Sequence, residues 1–242
     1  MTTKSKLTTP EIIILIAAAT VTLTVVSTCS PLYPFNPWND INCFFTVGRG
    51  ITHGMVPYRD LYEQKGPLLY FIYALAALIS EKSFTGAWII ECVMASVFAI
   101  FSWKTVKLFT EPPKYAVMLM PVLIGITYTL RMFNYGGNAE EINKTSGAKI
   151  LTYDIMDCGF YTAAGVLPQN RYYCYLSMEK DFPDILEQQD RLIKEGYFDY
   201  LVTSYNFDGT WENYEEVRKE ADVHVDYYGN RYPVGYKLYK RK

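Results

Sequence analysis

The stretch NPWNDINCFFTVGRGITHGMVPYRDLYEQKGPLL, Asn36 to Leu69, lies between two strongly apolar segments and gathers acidic, basic and aromatic side chains in one place. Its composition reads as a polar loop held against a membrane. Asp40 stands near the end of the first apolar segment and Lys65 just before the next, so a carboxylate and an ammonium are expected to meet at the bilayer surface. Such a pair suits chemistry on a lipid-linked phosphate, whose charge an ammonium can hold. The plainer alternative is an interfacial loop with its charges in water and Tyr33, Trp38 and Tyr58 as aromatic anchors.

Upstream of this stretch, Ile12 to Val26 is an unbroken run of apolar residues and threonine, with Lys4 and Lys6 before it. It reads as a first transmembrane helix, an uncleaved signal anchor rather than a cleaved signal. Pro67 to Ser80, Gly86 to Trp103 and Tyr115 to Leu130 are further apolar segments, each near the lower length limit for crossing a hydrocarbon core of about 30 Å. Residues 1–141 are therefore expected to form an α-helical membrane domain of about four transmembrane or re-entrant helices, with an external loop at 31–66.

The positive-inside rule places Lys4 and Lys6 in the cytoplasm and the 31–66 loop outside. Lys104, Lys107 and Lys114 also read as cytoplasmic, which makes Pro67 to Ser80 the segment expected to be re-entrant. Glu91 falls inside the third segment, where an ionisable group is costly and is a functional candidate by default. It alone points to a polar path through the bilayer, so a transporter ranks third among the functional readings.

After a linker at 142–147, residues 148–242 turn charged and tyrosine-rich and read as a small soluble α/β domain on the extracytoplasmic side. Strands are expected at Lys149 to Tyr153, Arg171 to Leu176 and Tyr197 to Tyr205. Helices are expected at Asp181 to Glu195, closed by Gly196, and at Trp211 to Ala221. Val223 to Tyr227 and Tyr236 to Tyr239 would close the domain as two strands around Gly229 and Asn230. Asp154 and Asp157 follow the first strand, either as a ligand-binding pair or, more simply, as loop and capping carboxylates. The tyrosines suit a sugar-binding surface or half-buried strand positions.

The net charge of −2 and the lack of any basic block exclude a nucleic-acid partner as the natural reading. The five cysteines show no CxxC or Cys/His spacing, and the two histidines stand apart, so no zinc site is expected and the cysteines read as packing residues.

PWNDINCFFTVGRGITHGMVPYRDLYEQKGPLLYFIYALAALIS resembles the first external loop and second helix of GT-C class membrane glycosyltransferases, nearest to the bacterial family 39 and aminoarabinose-transferase-like proteins. In that family a carboxylate soon after the first helix precedes an aromatic, a small-residue helix, a Gly-x-x-Pro-Tyr-x-Asp turn and a Lys-Pro-Pro-Leu-like helix start. The matching positions are Asp40, Phe44 and Phe45, Gly54 with Val56 to Asp60, and Lys65 to Leu68.

The resemblance implies a polyprenyl-phosphate-linked sugar donor in membrane lipid, an acceptor left unspecified, and inversion at the anomeric carbon. Asp40 would be the catalytic base, since a carboxylate can take the acceptor's proton as the glycosidic bond forms. Lys65 would hold the leaving phosphate, with Arg49 and Arg59 adding charge. Gln64 stands where relatives often carry a metal-binding glutamate; Glu63 is its neighbour, and a divalent metal ion is left open. Glu140 and Glu141 match a second acidic motif or, equally, a polar linker. Members of the class have many more helices, so the chain reads as shortened between Glu141 and Asn143. That shortening supports a second expectation, a catalytically silent membrane-anchored module that binds a glycan or a protein.

Overall fold

A computed structural model describes residues 7–33, 36, 38–110, 113, 116, 117, 142, 144–175, 182–225 and 231–242. Six helices and four strands are found among them, helices leading and a mixed sheet following.

Helix α1, Thr9–Val26, starts with a capping box: the Glu11 carboxylate accepts the Thr8 backbone N–H at 2.7 Å. Helix α4, Thr85–Phe109, packs against it in antiparallel sense, because both ends are tied crosswise. Lys107 near the end of α4 pairs with Glu11 at 2.8 Å, while Ser27 just beyond α1 donates to Glu91 near the start of α4. Leu15, Ala99 and Trp103 fill the seam between them. Both helices are long and apolar enough to cross a membrane. Their outer faces leave Ile13, Val21, Val93, Met94, Phe98 and Phe101 exposed. Large apolar surface of this kind marks a membrane or partner contact.

Helix α3, Pro67–Ile79, is equally apolar but has only 13 residues. At about 1.5 Å per residue it falls short of a hydrocarbon core. The fourth apolar segment of the sequence reading, Tyr115 to Leu130, lies outside the described residues apart from Ala116 and Val117, and so do Glu140 and Glu141.

The polar loop expected from Asn36 onward is instead occupied by helix α2, Asn39–Thr52, with every residue from Ile41 to Gly50 buried. The correction has a packing cause. Cys43, Phe44 and Val47 face Leu61, Tyr70 and the C-terminal domain, whereas Ile41 and Phe45 belong to a cluster with Ala76, Ala77, Phe84 and Ala87. Gly48 allows α3 to close on α2: a Cβ there would lie 2.5 Å from the backbone carbon of Tyr73.

The C-terminal domain holds a four-stranded sheet in the order β1-β2-β4-β3. Strands β1, Ile150–Thr152, and β2, Tyr200–Ser204, pair in parallel, and helices α5, Phe160–Ala164, and α6, Asp184–Lys194, lie in the chain between them. Strands β3, Tyr214–Val225, and β4, Arg231–Arg241, form an antiparallel hairpin with a bulge between Glu216 and Arg218. Side chains alternate across the sheet: Ile150, Val202 and Leu238 point into the core shared with α2, and Leu151, Leu201 and Tyr239 into a second core with Ile193 and Phe198.

Two further expectations are corrected here. The charged helix expected at Trp211 to Ala221 is the start of β3, since pairing with β4 satisfies its backbone. Arg171 to Leu176 is not a strand over its described part. Tyr173 instead offers its carbonyl to the Thr152 N–H and hydroxyl, and Tyr172 offers its own to the Gln189 side chain.

Candidate functional site

The charged residues of the opening stretch divide into those that the fold encloses or pairs and those whose charged groups have no partner among the described residues. Between α2 and α3 the chain folds into a tight turn, Val56 to Lys65. Its centre is Tyr58, a non-glycine residue with φ of 67°. That left-handed conformation is costly for a bulky residue and is held by three contacts. The Tyr58 N–H donates to the Leu61 carbonyl at 2.7 Å, its hydroxyl donates to the Lys65 carbonyl at 2.6 Å, and its ring packs edge-on against Tyr70.

Arg59 sits on this turn with its guanidinium clamped on Asp60, Nε and Nη2 each 2.7 Å from a carboxylate oxygen. Asp60 also accepts the Val56 N–H. The hydrogen bonds from Arg59 draw the Asp60 carboxyl down to about 2. The fork that would grip a phosphate is therefore occupied.

Glu63 is buried, and its carboxylate accepts the Tyr70 hydroxyl and, at 3.0 Å, the Lys65 N–H. It acts as a brace between the turn and α3. Among the described residues no three His, Cys, Asp or Glu side chains converge on one point.

Arg49, the other expected phosphate ligand, is only 3 % exposed on α2, and its Nε and Nη1 atoms have no hydrogen-bond partner. Burial lowers its pKa, while the charges of Asp157 and Glu81 oppose that shift. It is enclosed within the protein and not presented at the surface.

Asp157, readable from the sequence as a ligand-binding residue or as a loop or capping carboxylate, sits in the loop before α5, whose N-cap is Gly159. It is fully buried beyond β1, accepts the Gly159 N–H at 2.8 Å ahead of α5, and accepts the Thr46 hydroxyl from α2 at 2.5 Å. Burial raises its carboxyl to about 6, against the hydrogen bonds and the nearby Arg49 charge that favour ionisation. Gly159 has φ of 88°, and a Cβ there would sit 2.9 Å from the Asn42 side chain, so glycine is needed for α2 to approach this loop. The Thr46 to Asp157 contact was not legible in the sequence. Its only signal was an Asp two residues before a Gly at the start of a short helix.

Asp40 and Lys65 remain. Asp40 lies in the first turn of α2, half-buried, where the helix N-terminus favours a carboxylate. Among the described residues its side chain has no hydrogen-bond or ion-pair partner. Lys65 is exposed just before α3; its backbone is bonded to Glu63 and Tyr70, but among the described residues its ammonium has no carboxylate partner. No ion pair joins the two residues to each other.

Beside the turn, Arg171 stacks over the rings of Tyr62 and Tyr172, and its carbonyl accepts the Tyr62 N–H. The same arginine opens onto a groove of about 440 Å³ in the C-terminal domain, lined also by Asp184, Glu187, Gln188 and Arg191. The turn and the small domain thus share one polar surface.

No protein-family model, curated protein or solved structure matches this chain.

Proposed function

We propose that the chain is a membrane glycosyltransferase acting on a polyprenyl-phosphate-linked sugar, with Asp40 as general base and Lys65 holding the leaving phosphate. One observation carries the reading: in a stretch where Arg49, Arg59, Asp60 and Glu63 are all enclosed or internally bonded, the charged groups of Asp40 and Lys65 have no partner among the described residues. A carboxylate without a donor can accept a proton, and an unpaired ammonium beside apolar helices can meet a lipid phosphate. Inversion then needs one displacement, in which the acceptor oxygen loses its proton to Asp40 as the sugar–phosphate bond breaks.

In this reading α1 and α4 lie in the bilayer, α2 and the turn lie at its outer surface, and the C-terminal domain covers α2 from the extracytoplasmic side. The cytoplasmic Lys104 and Lys107 then share the membrane face with the start of α1, as the Glu11 to Lys107 pair supports. The test is sugar transfer from a polyprenyl-phosphate donor in membranes holding the chain, compared with Asp40→Asn.

A second reading, a silent anchored module that binds a glycan, is favoured by the groove at Arg171 and Arg191, which is rich in hydrogen-bonding groups and lies off the membrane helices. Glycan binding that is lost in Arg191→Ala, with no transfer by the wild type, would select it.

A further inference from the structure

Two of the five cysteines meet across the junction between α2 and the C-terminal domain. Cys43 and Cys174 are 131 residues apart in sequence, yet their sulfurs lie 4.0 Å from each other. Both are fully buried, and their backbones are fixed locally: the Tyr173 hydroxyl donates to the Cys43 carbonyl and the Gln189 side chain to the Cys174 carbonyl. An S–S bond is about 2.05 Å long, so the two sulfurs must approach by about 2 Å for the bond to close. Of the remaining cysteines, Cys158 lies nearest the pair.

We infer that Cys43 and Cys174 form an oxidisable dithiol whose disulfide locks α2 to the C-terminal domain. Oxidation takes two electrons and two protons from the pair and delivers them to a small disulfide such as oxidised glutathione, which leaves as two thiols. The first cysteine sulfur attacks the oxidant and expels one thiolate; the second then attacks the mixed disulfide and expels the other. The cross-link lies one helical turn from Thr46, so it clamps the contact that the Thr46 to Asp157 hydrogen bond makes reversibly. An oxidising, extracytoplasmic compartment is where such a bond forms and persists. Burial makes the native thiols slow to react and, once they are joined, slow to be reduced. The inference stands apart from sugar transfer and needs no substrate.

The test equilibrates the whole detergent-solubilised chain with reduced and oxidised glutathione, natively and in mild urea so that the oxidant gains entry. The protein is then denatured, alkylated and mapped. The expected result is three alkylated cysteines of five and a Cys43 to Cys174 linked peptide. Cys43→Ser or Cys174→Ser should abolish the link and Cys29→Ser should keep it. Five alkylated cysteines at every redox ratio in both arms, a Cys43 to Cys158 link, or glutathione retained on a single cysteine would each overturn the inference.

Discussion

Thr46 on α2 hydrogen-bonds across 2.5 Å to the carboxylate of Asp157, a residue 111 positions later that is itself fully buried. The contact couples the helix carrying Asp40 to the small domain, in a site that also encloses the Arg49 guanidinium. A charge taken out of water needs such partners, and removing one leaves the rest uncompensated.

Thr46→Val keeps the side-chain shape and removes the donor. A hydrogen bond to a charged group contributes about 1.5–3 kcal/mol, and the variant should lose stability on that scale in denaturant unfolding of the solubilised protein. Asp157→Ala should cost more, on the order of 3–5 kcal/mol, because it also strips Arg49 of its nearby countercharge. Unchanged midpoints for both variants would show that the contact does not hold the halves together.

The same carboxyl makes stability depend on pH. Burial raises Asp157 from its ordinary 3.8 to about 6, so between those values the folded chain holds a proton that the unfolded chain releases. Stability from this group is therefore greatest below about 4, falls as pH rises toward 6 and is level above. The span is on the order of 3 kcal/mol. Because other carboxylates titrate in the same range, the quantity to measure is wild type minus Asp157→Asn at pH 4.5 and pH 7. A flat difference would contradict the assignment.

Gly48→Ala places a methyl against the α3 backbone, 2.5 Å from Tyr73 and 2.7 Å from the Ala74 nitrogen. Backbone on both sides cannot rotate away. The helices must separate, at about 1–3 kcal/mol or more, which a lowered thermal midpoint should report. Ala at Gly66, where nothing lies within 4 Å, is the control and should leave the midpoint near wild type.

Helices α1 and α4 are long and apolar enough to cross a membrane and leave apolar faces exposed, which suits a bilayer contact. The chain should stay in the membrane fraction through alkaline carbonate extraction, and Phe98→Lys should lower the integrated fraction, since a lysine at a span centre costs about 3 kcal/mol. Release of the wild-type chain into the supernatant would remove the membrane reading.

The apolar helices were plain in the sequence, because Ile12 to Val26 and Gly86 to Trp103 need only length and composition to be recognised. Helix α2 was not. Its Asn39, Asp40, Asn42, Gly48, Arg49 and Gly50 read as loop composition, and the signal that could have found it was the spacing of Phe44, Val47 and Ile51 along one face. Strand β3 was misread because EEVRKEA suits a helix in isolation, and only its pairing with β4 decides otherwise. At the site, Asp40 and Lys65 were legible as charges near apolar segments. That Arg59 is spent on Asp60, Glu63 on Tyr70 and Arg49 on burial depends on side-chain neighbours that no spacing rule encodes.

Sugar transfer in isolated membranes tests most directly the proposal that Asp40 and Lys65 act on a lipid-linked sugar. With a polyprenyl-phosphate donor, the wild-type chain should transfer sugar, Asp40→Asn should fall by at least a hundredfold, in line with loss of a general base, and Arg59→Ala, whose fork is already bound to Asp60, should stay near wild type. Equal transfer by wild type and Asp40→Asn, or none by the wild type, would contradict the account.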